Sequence, residues 1–232
     1  MELIILDDPA VEAARRLAAA AAAGGQIALA GGSTPRAAYA MAAAALPDWG
    51  SATLWFGDER AVGPDDERSN YGMARSALLD QISGSAPTVE RIKGELGHEA
   101  AASDYADRLR AAFGDEMAPL DLVLLGIGDD GHTASLFPGK PAVKVHDRSV
   151  VGVPEPGLDP RVPRISLTVS ALCAARAVLF LIRGADKAPA VARAFGGGPP
   201  DEATPSSLIR PTAGSLTVLL DPAAAADLKD SK

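Results

Sequence analysis

The stretch Gln26-Ile27-Ala28-Leu29-Ala30-Gly31-Gly32-Ser33-Thr34-Pro35 indicates how this chain folds. Its apolar first half has the length of a buried strand, and the alanine-rich residues that follow it favour a helix. The glycine pair permits a tight turn and close approach of a ligand to the backbone. Either hydroxyl residue can cap the helix, and the proline suits its first turn. The stretch therefore predicts a strand, a turn and a helix in succession.

Short apolar runs alternate with helical patterns along the rest of the 232 residues. Strands are predicted at 3–6, 26–30, 52–56, 121–125, 149–153, 164–169, 177–182 and 216–220, and helices at 8–23, 35–45, 98–113 and 186–195. Such alternation is typical of a mainly parallel sheet covered on both faces. We expect a doubly wound α/β fold, built as one domain over residues 1–232.

The composition limits the classes of partner and of site. A net charge of −8 gives no long-range attraction to nucleic acid or to an anionic membrane, so we expect neither as a partner, and an anionic ligand would need a local basic pocket. The single cysteine, Cys173, cannot form an intrachain disulfide, and no Cys/His cluster has the spacing of a zinc site. The acidic N-terminus, with its short apolar run, predicts a cytoplasmic protein.

The loops that follow the strands are the places to look for a site, because ligands of open α/β sheets bind at the carboxyl ends of the strands. In the first such loop, the N–H groups of the turn at 31–34 could hold a phosphate. The turn alone fits a phosphate site and an ordinary strand-to-helix connection equally well.

A second loop, Trp55-Phe56-Gly57-Asp58-Glu59-Arg60, places charged residues at a strand end, and the polar segment 65–71 follows it. A run of charges is usually a solvated loop, but the strand-end position favours a functional role for Asp58 or Arg60. The spacing does not choose between the two.

The third loop, residues 126–138, contains three glycines, two carboxylates and a histidine after an apolar strand. His132 has an acid, Asp130, two residues before it, and a carboxylate can orient a histidine that acts as a general base. A lone histidine is more often structural. The glycine-rich loop at a strand end favours the catalytic interpretation here.

Two cations complete the candidate site. Arg164 begins a predicted strand, and Lys187 lies at the start of a predicted helix, where a positive charge is unfavourable unless an anion is bound. An exposed lysine tolerates that position at about 0.3–1 kcal/mol, so a neutral role for Lys187 stays open. The chain lacks the Gly-x-Ser-x-Gly elbow of serine hydrolases and the glycine loops that bind nucleotides.

In order and spacing, these motifs resemble the 6-phosphogluconolactonase family over nearly the whole chain. The matching segments lie at 31–35, 57–60, 69–71, 126–138, 164–168 and 184–188. The third loop is the specific one, since Gly-Gly-Ser-Thr-Pro is shared with the related glucosamine-6-phosphate deaminases. The resemblance implies a Rossmann-like three-layer α/β/α sandwich of the sugar-phosphate isomerase type. It also implies hydrolysis of 6-phosphogluconolactone in the oxidative pentose phosphate pathway, without metal or organic cofactor.

The resemblance makes His132 the catalytic base, with Asp130 beside it and with Arg60 and Asp58 lining the site. Asp129 receives no role. The partner is a small phosphosugar lactone, and we expect a monomer or a small homo-oligomer. The residues that this resemblance places on the substrate or its phosphate are Gly31, Gly32, Ser33, Thr34, Gly128, Arg164 and Lys187.

Two other functions remain as alternatives. A deaminase of the related group would have Glu five residues after the histidine, where this chain has Phe137, and tends to have Tyr in place of Arg60. A non-catalytic sugar-phosphate sensor needs the phosphate site but not the base. The presence of both Asp130 and His132 argues against a sensor.

Overall fold

The computed structural model of the protein describes residues 1–114, 117–157 and 159–228. Seven of its strands form one sheet in the order β1-β10-β9-β6-β2-β3-β5, and all neighbouring pairs are parallel. The strands along the chain are β1 (Glu2–Ile5), β2 (Gln26–Leu29), β3 (Thr53–Phe56), β4 (Asp58–Arg60), β5 (Thr88–Val89), β6 (Leu122–Leu125), β7 (Val150–Val153), β8 (Arg164–Leu167), β9 (Ala177–Ile182) and β10 (Ser215–Leu220).

Helices cover this sheet, as the alternating sequence pattern predicts. They are α1 (Pro9–Ala22), α2 (Ser33–Ala45), α3 (Asn70–Ala77), α4 (His98–Phe113), α5 (Val169–Cys173) and α6 (Ala188–Phe195). All four residues of β6 are buried, so both of its faces are covered. On β3, the Trp55 ring packs 5.8 Å from Tyr105 and 5.7 Å from Phe113 of α4. The predicted mainly parallel α/β fold is therefore confirmed. In the described part of the chain, no helix is both long and apolar enough to span a membrane.

The strand order places a crevice in the middle of the sheet. From β2 the chain continues to β3 and β5 on one side, and then to β6, β9 and β10 on the other side. The direction of winding thus changes between β2 and β6. Ligands of such sheets bind at this switch point, outside the carboxyl ends of the strands.

A second, three-stranded antiparallel sheet, β4-β8-β7, departs from the prediction. The charged triplet Asp58–Arg60 was predicted as a loop but forms β4, and the predicted strands at 149–153 and 164–169 lie outside the parallel sheet. Because Asp58 pairs with Ser166 and Arg60 with Arg164, β4 depends on a partner that is distant in sequence. A short polar strand of this kind has no local hydrophobic pattern to reveal it.

The start of α2 also differs from the prediction. Neither Ser33 nor Thr34 caps the helix: the cap residue is Gly32, with φ of 100°, and it makes no side-chain cap hydrogen bond. With Gly32 as the cap, the helix begins one or two residues earlier than it would with a Ser33 or Thr34 cap, and the positive φ of this position suits glycine. Pro35 does lie in the first turn, as predicted. Residues 229–232 of the predicted single domain lie outside the described residues, and the extent of the domain stays a prediction.

Candidate active site

A cavity of about 270 Å³ opens at the carboxyl ends of β2, β6 and β9, in the crevice that the strand order creates. Apart from Asp130, every residue that the sequence analysis assigned to the site lines this cavity. Those lining residues are Gly31, Gly32, Ser33, Thr34, Asp58, Arg60, Gly128, His132, Arg164 and Lys187. Asp129 is exposed and is not among them.

His132 is held by Asp130 in the loop after β6. The Asp130 Oδ1 atom lies 2.6 Å from His132 Nδ1 and accepts a 2.9 Å hydrogen bond from the His132 backbone N–H. The imidazole also packs on the Phe137 ring, with a centroid distance of 4.6 Å. Its side chain is 19% exposed, so the ring is oriented by its neighbours and still reaches the cavity.

The charge of Asp130 decides the tautomer of His132. Burial raises the pKa of the Asp130 carboxyl, but hydrogen bonds from the His132 side chain and backbone outweigh burial and lower that pKa below its ordinary value. An ionised carboxylate can only accept a hydrogen bond, so we assign the imidazole proton to Nδ1. The neutral ring then has its lone pair on Nε2, as a general base requires.

Gly128 makes room for this pair. A Cβ atom at that position would lie 2.0 Å from His132 Nδ1 and 2.6 Å from Asp130 Oδ1. The Gly128 N–H donates a 2.9 Å hydrogen bond to the His132 carbonyl, which fixes the loop further. The predicted substrate contact at Gly128 stays a prediction. The geometry shows a second role for the glycine, which is to leave space for the His132–Asp130 pair.

Asp58 is 7% exposed, and its carboxylate is held from two sides. The Ser135 hydroxyl donates a 2.6 Å hydrogen bond to Oδ2, and Asn70 Nδ2 donates one of 3.1 Å to Oδ1. Asn70 lines the cavity as well. Ser135 and Asn70 lie in the matching segments 126–138 and 69–71, but nothing in their local pattern links them to Asp58.

Arg60 and Arg164 are cross-strand neighbours in the β4–β8 register. Arg164 is 4% exposed and lies over the Phe137 ring at 5.3 Å. Burial lowers the pKa of Arg164; the Asp58 carboxylate opposes this shift and the Arg60 charge adds to it. Two guanidinium groups side by side concentrate positive charge at the cavity, which suits an anionic ligand.

The segment after β9 supplies two more cations to the cavity wall, Arg183 and Lys187. Each has an acidic neighbour: Arg183 Nη1 is 3.3 Å from Asp8 Oδ1, and Lys187 Nζ is 2.9 Å from Asp186 Oδ2. Arg183 was missed by the sequence analysis, although its position directly after a strand was a usable signal.

The N-terminus of α2 forms a further part of the wall. Because the helix has no side-chain cap bond, the N–H groups of its first turn can bind an anion, as was predicted for the turn at 31–34. Over residues 1–114, 117–157 and 159–228, no group of three or more His, Cys, Asp or Glu side chains could hold a metal ion.

Known proteins are similar to this chain in sequence and in fold. Residues 6–218 match the family described as glucosamine-6-phosphate isomerases/6-phosphogluconolactonase. The 6-phosphogluconolactonase of Nostoc sp. is 42% identical over 87% of this chain and 84% of its own length. The 6-phosphogluconolactonase of Homo sapiens is 40% identical over 78% of this chain and 69% of its own length.

A solved structure agrees with these sequence matches. The structure of 6-phosphogluconolactonase from Trypanosoma cruzi superimposes with a TM-score of 0.85 at 28% identity, over 98% of this chain and 97% of the other. The family match covers well over half of the residues. The chain therefore belongs to the glucosamine-6-phosphate isomerase/6-phosphogluconolactonase family.

Proposed function

We propose that the chain hydrolyses 6-phospho-D-glucono-1,5-lactone to 6-phospho-D-gluconate, the lactonase step of the oxidative pentose phosphate pathway. The observation that carries the proposal is the His132–Asp130 pair, joined at 2.6 Å, in a cavity lined by several cations. The activity named for the similar proteins from Nostoc sp. and Homo sapiens supports it.

In the proposed mechanism, His132 Nε2 takes a proton from water while the water oxygen attacks the lactone carbonyl carbon. The carbonyl electrons move onto oxygen, and Arg60 or loop N–H groups stabilise this oxyanion. When the oxyanion collapses, the bond to the ring oxygen breaks and the imidazolium returns its proton to that oxygen. Asp130 holds the ring throughout. The net change is the addition of one water molecule.

The phosphate is bound away from the reacting bond, by Lys187, Arg164 and the turn of Ser33 and Thr34. Arg183 joins this set because it lines the same cavity. Binding energy from a remote phosphate fixes the carbonyl against the water and His132. The local cations also offset the repulsion expected between an anionic substrate and a protein of net charge −8.

Phe137 distinguishes this reaction from deamination of glucosamine 6-phosphate. It stands five residues after His132, where the deaminases have a glutamate, and its buried ring contacts His132 and lies below Arg164. A phenyl ring can neither accept nor relay a proton. The lactonase reaction needs no such group, so the described contacts favour it.

The proposal includes a cytoplasmic protein that acts as a monomer or a small homo-oligomer, with one domain and no metal or organic cofactor. An ester carbonyl is already a good electrophile, and the base is supplied by the chain itself.

The test compares two substrates. Freshly prepared 6-phosphogluconolactone, corrected for spontaneous hydrolysis, should be consumed rapidly, and glucosamine 6-phosphate should release no ammonia. Ammonia release at a comparable rate would assign the chain to the deaminases. Tight binding of 6-phosphogluconate without turnover of either substrate would indicate a sensor.

A further inference from the structure

Asn70, the first residue of α3, is only 1% exposed and lies in the cavity wall. Its Nδ2 atom donates hydrogen bonds to the Asp58 carbonyl at 2.9 Å and to Asp58 Oδ1 at 3.1 Å. Rotating the amide by half a turn would place oxygen against these two acceptors. The two bonds therefore fix which end of the amide faces Asp58.

The other end of the amide fills the space beside Gly31. A Cβ atom on residue 31 would lie 1.9 Å from Asn70 Oδ1 and 2.2 Å from its Cγ. Among the described residues, this Oδ1 atom has no hydrogen-bond partner, although it is buried. An unpartnered buried acceptor lowers stability, and a polar atom of this kind is typical of a functional site.

We infer that Asn70 is a positioning residue that fixes the turn of Gly31 and Gly32 relative to Asp58. The inference rests on the proposed function, in which the turn binds the phosphate and Asp58 lines the reacting end. One amide packs against the turn after β2 and holds the carboxylate of β4. It thereby sets the separation between the phosphate and the lactone carbonyl, and a displacement of about 1 Å can cost on the order of 10²-fold in rate.

A double-mutant cycle on residues 31 and 70 tests this coupling. Gly31→Ala forces the Asn70 amide out of place, so we expect kcat/KM to fall by about 10²-fold and the Kd for 6-phosphogluconate to rise. Asn70→Ala also lowers kcat/KM, but it creates the room that the new Cβ needs. The double variant should then resemble Asn70→Ala to within about threefold, because residues in contact are not additive.

Matched variants separate positioning from general destabilisation. Gly63→Ala, where an added Cβ meets no atom within 4 Å, should keep wild-type kinetics. Asn70→Asp keeps the size of the side chain but sets an acceptor against the Asp58 carboxylate and carbonyl, so it should lower both kcat/KM and the thermal midpoint. Asn70→Ser makes similar room and replaces Asn70→Ala in the cycle if that variant does not fold.

The inference is overturned if Gly31→Ala costs as much in the Asn70→Ala background as in the wild type, or if Asn70→Ala keeps wild-type kcat/KM and Kd. Calorimetric Kd values for 6-phosphogluconate report the coupling without turnover. A wild-type protein that fails to hydrolyse the lactone would contradict the proposed function, while the same Kd cycle would still decide the role of Asn70.

Discussion

Lys187 and Arg183 are the side chains on which phosphate recognition can be tested most cleanly, because both line the cavity and neither is part of the buried core. Replacing either with Ala should raise KM more than it lowers kcat, because the phosphate contact is made equally in the bound substrate and in the transition state. A charge-assisted hydrogen bond contributes roughly 1.5–3 kcal/mol, so kcat/KM should fall about 10- to 100-fold per residue. Steady-state kinetics on 6-phosphogluconolactone measure this effect.

Unphosphorylated gluconolactone is the control substrate, because it never uses the phosphate contacts. Wild type, Lys187→Ala and Arg183→Ala should hydrolyse it equally slowly. Lys144→Ala removes an exposed lysine that does not line the cavity and should match wild type on both lactones. An equal proportional loss on both lactones would assign the residue a structural or catalytic role instead.

Some contacts of the site are visible in the sequence, and others arise only in the fold. His132 and Asp130 are two positions apart, so their 2.6 Å contact could be anticipated from spacing. Arg183 directly follows the apolar run of β9, which is a positional signal for a site residue. Asn70 lies in the matching segment 69–71, but its contact with Gly31 is not visible in the sequence, because it arises only when α3 folds back against the turn after β2.

Among the elements, the connection between β4 and α3 depends on the buried carboxylate of Glu59. Its Oε1 atom accepts hydrogen bonds from the backbone N–H groups of Arg60 and Asn70, both at 2.7 Å. Its Oε2 atom accepts hydrogen bonds from the Tyr71 N–H at 2.7 Å and from the Ser69 hydroxyl at 3.0 Å. Glu59 thus joins the strand that carries Arg60 to the helix that carries Asn70.

Burial raises the pKa of Glu59 above its ordinary value, although these backbone hydrogen bonds oppose the shift. The folded state therefore binds this proton more tightly than the unfolded state. As pH rises from about 4.3 through the raised pKa, the Glu59 contribution to the free energy of unfolding should decrease. Urea unfolding measures the free energy of unfolding of wild type and of Glu59→Gln at each pH. The difference between the two gives the contribution of Glu59.

The exposed Glu67 provides the matched control: Glu67→Gln should leave the pH dependence of wild-type stability in place. If the difference between wild type and Glu59→Gln instead grows with pH, the carboxylate is stabilised in its ionised form and the assigned direction is wrong.

The elements themselves were predictable where hydrophobic runs mark them. β9 has the predicted bounds, Ala177–Ile182, because a six-residue apolar run is buried along nearly its whole length. β4 is charged and only three residues long, and it forms because β8 pairs with it. α3 follows a polar loop and begins at a Ser69 side-chain cap, which the hydrophobic pattern does not mark. Long-range pairing, rather than local preference, therefore decides β4, whereas α3 begins at a local cap.

For the whole molecule, the acidic surface and the basic cavity have opposite effects on an anionic substrate. The net charge of −8 repels the substrate at long range, while the cations of the cavity attract it at contact distances. The sequence predicted the need for such a pocket from the net charge. The motifs also predicted Arg60, Arg164 and Lys187, which line the cavity, but not Arg183, which joins them in the fold from the end of β9.

The proposed mechanism uses only groups of the chain itself and water, so we expect prolonged chelation to leave both kcat and the thermal midpoint unchanged. Dialysis against a strong chelator, followed by elemental analysis and assay, measures this directly. A metal present at one equivalent per chain, whose removal abolishes turnover and whose return restores it, would show that the base is not His132 alone.

The most direct test of the central claim is the initial rate of 6-phosphogluconolactone hydrolysis by wild type and by His132→Ala, each corrected for spontaneous hydrolysis. If His132 is the general base, the variant should remain folded by circular dichroism, bind 6-phosphogluconate with similar affinity, and lose about 10²–10⁴-fold in kcat. A folded His132→Ala variant that retains most of the wild-type kcat would contradict the account.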